Sequence, residues 1–279
     1  MGESQIGFSR EARTSDHIFV VNTLINKVVR FQSKQLFTAF IDFRKAFDKV
    51  DRKFLLLKLW SYDIEGPLLD IIKLMYDNVQ QRVRINDLLI EPILSNVGLK
   101  QGCNLSPTLF NLFIEDLKLE FGPQCDPVRV GNYAVSHLLY ADDLILLSQS
   151  AEGLQLTLDK LHSYCLRWNL QINVKKSKAM VFNKTGKIPQ NVSFHIGDSE
   201  LPMVNRFKYL GTILSSSGSQ IPAAKSLCEK TNKAYFALRT VLQKFNYEPS
   251  LSLKIFDTAL KPILKYNCEI WAQLSKDDL

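Results

Sequence analysis

Two acidic residues, Asp142 and Asp143, sit side by side between the apolar runs 137–140 and 144–147 in the stretch VSHLLYADDLILLS. Each run is too short for an ordinary helix and contains neither Gly nor Pro, which predicts two buried strands joined by a tight turn. Asp favours turns, so a solvated hairpin tip is one reading. The other is a rigid point at which two carboxylates repel each other and require a cation. Magnesium suits such a point, because it takes oxygen ligands from one or two carboxylates together with substrate phosphates. A third carboxylate, Asp42, closes the apolar segment QLFTAFI at 35–41. The loop GLKQGCNLSP at 98–107 carries Lys100-Gln101-Gly102 and feeds a helix. If Asp42 lies beside Asp142, two divalent ions about 3.5–4 Å apart can be clamped between them, as nucleotidyl transfer uses them. That chemistry rests on positioning and charge neutralisation, so it needs no His or Cys nucleophile.

The elements that must hold these residues follow from periodicity. Ile18, Val21, Leu24, Ile25, Val28 and Phe31 share a helical face, with Ser15 as cap. Segment 35–41 reads as a buried strand ending at Asp42. One helix starts near Asp51 with Phe54, Leu55 and Leu59 inward; another opens at Gly66-Pro67 with Leu68, Ile71, Ile72 and Met75. Residues 79–97 suggest a hairpin turning at Asn86-Asp87, with Arg82 and Arg84 on a basic face. Ser106-Pro107 reads as the cap and first turn of a helix from about 108 to 121. An amphipathic helix covers 151–168. Residues 170–182 read as strand, basic turn and strand, 186–202 as a weaker hairpin, and 207–214 as one strand with Gly211 inside it. Residues 215–219 form a small-residue linker. Two helical pieces follow, broken at Glu248-Pro249, with Lys225, Lys230, Lys233, Arg239 and Lys244 exposed. The expected division is a mixed α/β body at 1–215 and a small helical domain at 216–279.

Composition narrows the class. With 46% hydrophobic and 23% charged residues the chain is globular. Its net charge of +7 suits a polyanionic partner. Residues 1–15 hold no signal-peptide core, Ile6 breaks the myristoylation pattern, and no apolar run approaches the roughly 20 residues of a membrane span. The five cysteines and four histidines are scattered without ligand spacing, so neither a zinc site nor a disulfide framework is expected, and a reducing, intracellular setting is the default.

The motifs then add up to a family. FIDFRKAFDKVD resembles motif A of the reverse transcriptase domain of non-LTR (LINE-type) retrotransposons. GLKQGCNLSPTLFNLF resembles its motif B, YADD its motif C, LQINVKKSK its motif D and FKYLG its motif E. QIGFSREARTSDHI resembles its fingers motif. All stand in the family's order over nearly the whole chain. The resemblance implies an α+β, right-hand polymerase-like fold: partial fingers and palm over 1–215, then a helical thumb. It implies an RNA-directed DNA polymerase that takes an RNA template, a DNA primer and dNTPs with two Mg2+ ions, or Mn2+ in their place. Asp42, Asp142 and Asp143 would be metal ligands, joined by the backbone carbonyl of Phe43. Phe47 matches the steric gate against a ribose 2′-hydroxyl. Asp48 reads as a structural residue or cap. Gln101 and Gly102 would face the incoming nucleotide and template base. Lys176 would protonate pyrophosphate. Tyr209, Leu210 and Gly211 would grip the primer, and thumb lysines would neutralise backbone phosphates. Nuclear residence follows from how such elements integrate.

The family's upstream Arg-Pro-Ile-like fingers strand and its endonuclease are not recognised in the chain. A second expectation therefore stands beside the first: a catalytically inactive, truncated element remnant that only binds nucleic acid. A magnesium nuclease or cyclase on a palm-like sheet is a third, against which the Gln-Gly loop and Phe47 both count.

Overall fold

The computed structural model describes residues 13–242 and 248–268, with side chains excluded at 241 and 242. Most of the expected fingers motif, Lys244 and the tail from 269 lie outside them. In chain order come α1 (Thr14–Ile25), continued by a π-turn to Phe31, and β1 (Leu36–Asp42). Next are α2 (Arg52–Ser61), α3 (Pro67–Tyr76) and four short strands: β2 (Gln80–Gln81), β3 (Arg84–Ile85), β4 (Leu88–Leu89) and β5 (Ile93–Leu94). Then follow α4 (Ser106–Ile114), β6 (Val128–Val130), β7 (Tyr133–Val135), β8 (His137–Tyr140), β9 (Asp143–Ser148) and α5 (Ala151–Arg167). The remainder is β10 (Lys178–Phe182), β11 (Phe194–Ile196), β12 (Ser199–Leu201), β13 (Arg206–Tyr209), β14 (Thr212–Ser215), α6 (Ile221–Leu242), α7 (Pro249–Ile255) and α8 (Lys261–Leu264). Among the described residues no helix is long and apolar enough to cross a membrane.

Two compact units divide these elements by interleaving segments rather than by one cut. One holds Phe37–Ala179 and Asn191–Pro202; the other holds Thr14–Leu36, Met180–Gln190 and the described residues from Met203 onward.

The first unit is built on β1, β9 and β8, neighbouring strands of one sheet. Every residue of β1 except the terminal Asp42 is buried, as its unbroken apolar run requires. β9 runs antiparallel to β1 and β8 antiparallel to β9. Helix α5 packs on β9 and β11. Ser150 caps it, its hydroxyl accepting the Gly153 N–H at 3.2 Å. Leu154, Leu158 and Leu161 are fully buried, each contributing about 1.5–3 kcal/mol over exposure. Asp51 caps α2 through the N–H groups of Lys53 and Phe54. On α2 the Lys58 ammonium is buried: it donates to Asp116 at 2.6 Å and Tyr164 at 2.7 Å and stands 3.9 Å from the Trp168 ring centroid. Burial pulls its pKa down to about 8, against the pull of Asp116. The 79–97 hairpin forms with its tip at Asn86-Asp87.

Several local expectations change. Helix α3 buries Ile72 and Tyr76, while Leu68 and Ile71 are exposed. The helix is apolar on most sides, so periodicity does not choose its inner stripe. Ser106 is the first residue of α4 rather than its cap; its hydroxyl donates to the Lys100 carbonyl at 2.6 Å. The α-helix ends at Ile114 and tightens into a 3₁₀ stretch to Glu120. The strand expected before β10 shrinks to one bridge, Phe43 to Ile172.

In the second unit α1 starts at Thr14, so Ser15 lies within the helix. Val28 stays buried, but Phe31 is 84% exposed. The π-turn adds a residue to the last repeat and rotates Phe31 off the inner face. Segment 207–214 is a hairpin, not one strand: β13 and β14 pair around Leu210-Gly211. Leu210 and Gly211 have φ of 42° and 83°, the left-handed backbone that two-residue hairpin turns need. Residues 215–219 are tied down, with Ser216 buried and its hydroxyl donating to the Gly186 carbonyl at 2.6 Å. α6 packs on β14 and α8.

Candidate active site

The acidic edge is assembled by strand pairing. Asp42 stands directly opposite Asp143, and Asp143 opposite Tyr140. Asp142 occupies the two-residue turn with Ala141, whose φ is 56°. A left-handed alanine costs on the order of 1 kcal/mol, so the surroundings must hold this turn in place. The backbone of Asp42 points away from β9: its N–H donates to Ser177 Oγ at 3.0 Å, and its carbonyl accepts the Asn173 N–H at 2.8 Å. An antiparallel residue directs both groups to one side, so Asp42 shares none with Asp143. The two therefore form the close, non-hydrogen-bonded kind of pair, with Cα atoms about 4.5 Å apart and side chains on one face.

Electrostatics register the crowding. The Asp143 carboxyl is pushed up to about 6, first by lost hydration, then by Asp142 and Asp42. Part of Asp143 still faces solvent, so its hydration loss is incomplete. Asp142 is raised too, chiefly by burial and also by Asp42, against a backbone hydrogen bond that lowers it. Like charges directly opposite destabilise a sheet. The donor set is all carboxylate, which fits a hard cation such as magnesium or manganese. Among the described residues no three His, Cys, Asp or Glu side chains are gathered closely enough to hold an ion; mutual repulsion opposes such gathering.

The other expected site residues of this unit lie around the same edge or beside the Gln-Gly loop. The bridge beyond β1 uses the Asp42 carbonyl and the Arg44 N–H, the latter donating to Gln171 at 2.7 Å. It does not use the Phe43 carbonyl. Lys176 is exposed on the turn that Asn173 and Ser177 fasten to Asp42. Phe47 stacks on Phe110, with centroids 4.6 Å apart and planes at 23°. Phe47, Gln101 and Gly102 line one cavity of about 540 Å³ with Lys100, Cys103 and Ser106. A Cβ on Gly102 would meet nothing within 4 Å, so that wall is open. The Gln101 amide donates to Asp48 at 2.8 Å, which gives Asp48 a partner that its sequence position did not suggest.

Tyr209, Leu210 and Gly211 belong to the second unit. Tyr209 is buried, with its hydroxyl 3.2 Å from His17 Nδ1. The Tyr266 hydroxyl donates to the Leu210 carbonyl at 2.8 Å. A Cβ on Gly211 would stand 3.1 Å from the Tyr266 ring.

Sequence reasoning passed over Ala141, because its backbone angle has no side-chain signature, and it gave Ser177 no role beyond membership of the LQINVKKSK motif. It also missed Arg52, a basic residue that binds main-chain carbonyls.

An antiparallel sheet with opposed aspartates at its rim, an acidic hairpin tip beside them and helices packed behind is the palm of a right-hand polymerase. The family model for reverse transcriptase (RNA-dependent DNA polymerase) matches residues 1–214, and the chain belongs to that family. Its relatives include the type-1 retrotransposable element R2 polyprotein of Nasonia vitripennis, 28% identical over 200 residues, covering 69% of this chain and 19% of that protein. The probable RNA-directed DNA polymerase from transposon BS of Drosophila melanogaster is 25% identical over 287 residues, covering 99% of this chain and 31% of that one. The chain thus spans about a fifth to a third of these relatives' length. Among solved structures, apo telomerase from Candida tropicalis truncated from its C-terminal domain aligns with a TM-score of 0.52 at 14% identity, over 77% of this chain and 40% of that one. Candida tropicalis telomerase in complex with a TWJ fragment of telomeric RNA gives 0.53 at 10% identity, over 98% and 52%. These likenesses establish the fold.

Proposed function

We propose that the chain catalyses RNA-directed DNA synthesis, adding deoxynucleotides to a primer on an RNA template. The observation that carries this reading is the close pairing of Asp42 with Asp143 beside the Asp142 turn. In the reaction the primer's terminal 3′-oxygen attacks the α-phosphorus of a dNTP. One P–O bond forms as the bond to pyrophosphate breaks. Asp42, Asp142 and Asp143, with the Phe43 carbonyl, would hold two magnesium ions. Bound there, magnesium supplies charge neutralisation for the triphosphate.

The chain's own residues do the positioning. The Phe47 ring, fixed by its stack on Phe110, fills the space a ribose 2′-hydroxyl would need. Gln101 and Gly102 face the nucleotide from the loop side. Lys176 donates a proton to departing pyrophosphate. The Leu210-Gly211 turn contacts the primer through its backbone. Exposed Lys225, Lys230, Lys233 and Arg239 on α6 pair with backbone phosphates as a thumb would, over the region 216–279. The test is primer extension on an RNA template by wild type beside Asp142→Ala. The reading expects extension that the variant loses; equal extension by both proteins would remove Asp142 from the site, and none by either would leave only a nucleic-acid binder.

A further inference from the structure

Arg52, the first residue of α2, lies behind the loop that leads to Gln101 and Gly102. Its Nε donates to the Gly98 carbonyl at 2.9 Å, Nη2 to the Val97 carbonyl at 3.1 Å, and Nη1 to the carbonyls of Tyr76, at 3.2 Å, and Ser95. Four main-chain oxygens from two segments converge on one guanidinium. Only Arg presents five donors in a fixed planar fork, so this is a task lysine does not perform.

The loop is also pressed onto the turn after β1. The Gly98 N–H donates to Val50 and the Leu99 N–H to Phe47, each at 2.8 Å. A Cβ on Gly98 would stand 2.6 Å from the Asp48 carbonyl oxygen, and its φ is 86°, so only glycine allows the approach. Tyr76 holds the loop's far end. Arg52 stands over its ring, 5.2 Å from the centroid. The single Ser106 hydroxyl proton goes to the Lys100 carbonyl, so Tyr76 donates to Ser106 Oγ at 3.2 Å.

We propose that Arg52, with Tyr76, is a positioning residue for the incoming nucleotide, acting through residues 95–102; this rests on the reading of Gln101, Gly102 and Phe47 as the nucleotide pocket. The carbonyl of Phe47 holds Leu99 and its ring stacks on α4, so the gate and the loop are fixed by one clamp. Releasing the clamp lets the loop leave its binding-competent arrangement. Apparent nucleotide affinity then falls by the competent fraction, while turnover at saturating nucleotide is kept.

The test is Arg52→Lys, which keeps the charge and removes the fork. Losing even one or two charge-assisted bonds lowers the competent fraction to about a tenth, so KM for dNTP rises about tenfold with kcat within about threefold. A role confined to folding would lower kcat and leave KM alone. Amide hydrogen exchange at 98–102 is the second readout and needs no activity. It should quicken about tenfold in Arg52→Lys, and less in Tyr76→Phe, with β9 and α5 unchanged. Unchanged exchange at 98–102, or an unchanged KM with reduced kcat, would overturn the proposal. If the wild type extends no primer, the polymerase reading fails while the exchange result alone decides whether the clamp exists.

Discussion

Asp143→Asn swaps one of three crowded anions for a neutral isostere and should make the protein more stable while it destroys activity. The folded Asp143 carboxyl is held at about 6, above its ordinary 3.8. The folded state therefore binds the extra proton between about pH 4 and 6. Stability from that proton is complete below pH 4 and is lost as the pH rises through 6. A shift of about two units is worth some 3 kcal/mol at full strength. Asp143 is exposed, so screening leaves about 1 kcal/mol. Urea unfolding of both proteins in chelator at pH 4, 5, 6 and 7.5 measures this. The variant should be more stable by about 1 kcal/mol at pH 7.5, a melting shift of roughly 2–4 °C, with the gap closing at pH 4. Contributions from histidines common to both proteins cancel in the difference. Millimolar magnesium should stabilise the wild type selectively. A variant less stable than wild type at pH 7.5, or a gap that ignores pH, would refute the argument that these carboxylates repel one another.

Other consequences follow from buried charge. His17 and His137 are buried, and burial lowers each to about 4 from 6.5. Their neutral forms are favoured on folding, so stability is complete above about pH 6.5 and falls by up to about 3 kcal/mol per histidine as the pH drops towards 4; denaturant midpoints should follow that slope, which His137→Gln should flatten. Lys58→Met strands Asp116, one-quarter exposed, and should cost about 3 kcal/mol by urea unfolding. The double variant Lys58→Met with Asp116→Leu should recover most of that loss.

The meeting of the aspartates was legible because it is carried by side chains at fixed positions: Asp42 closing an apolar run, Asp142-Asp143 between two short ones. The β8–β9 hairpin, β1 and α5 were legible from short apolar runs and helical period. What stayed hidden is carried by backbone. The alternation of FKYLGTIL continues through a turn, so Leu210-Gly211 read as strand interior. One π-turn moved Phe31 outward without changing its spacing. Ser106 looked like a cap, yet its hydroxyl reaches back to Lys100. Arg52 grips carbonyls, which every residue has, so nothing in its partners' identities announces the clamp. On α3 apolar residues outnumber one stripe, and only packing selects Ile72 and Tyr76.

The proposed catalysis at this sheet rim requires that an aspartate from one segment and a pair from another act as a unit. Single-nucleotide incorporation in magnesium, by wild type and by Asp42→Asn on the same RNA template and DNA primer, tests that most directly. Incorporation by the wild type and a loss of at least about a thousandfold in the variant, some 4 kcal/mol of barrier, is the result expected. Equal rates for the two proteins would contradict the account.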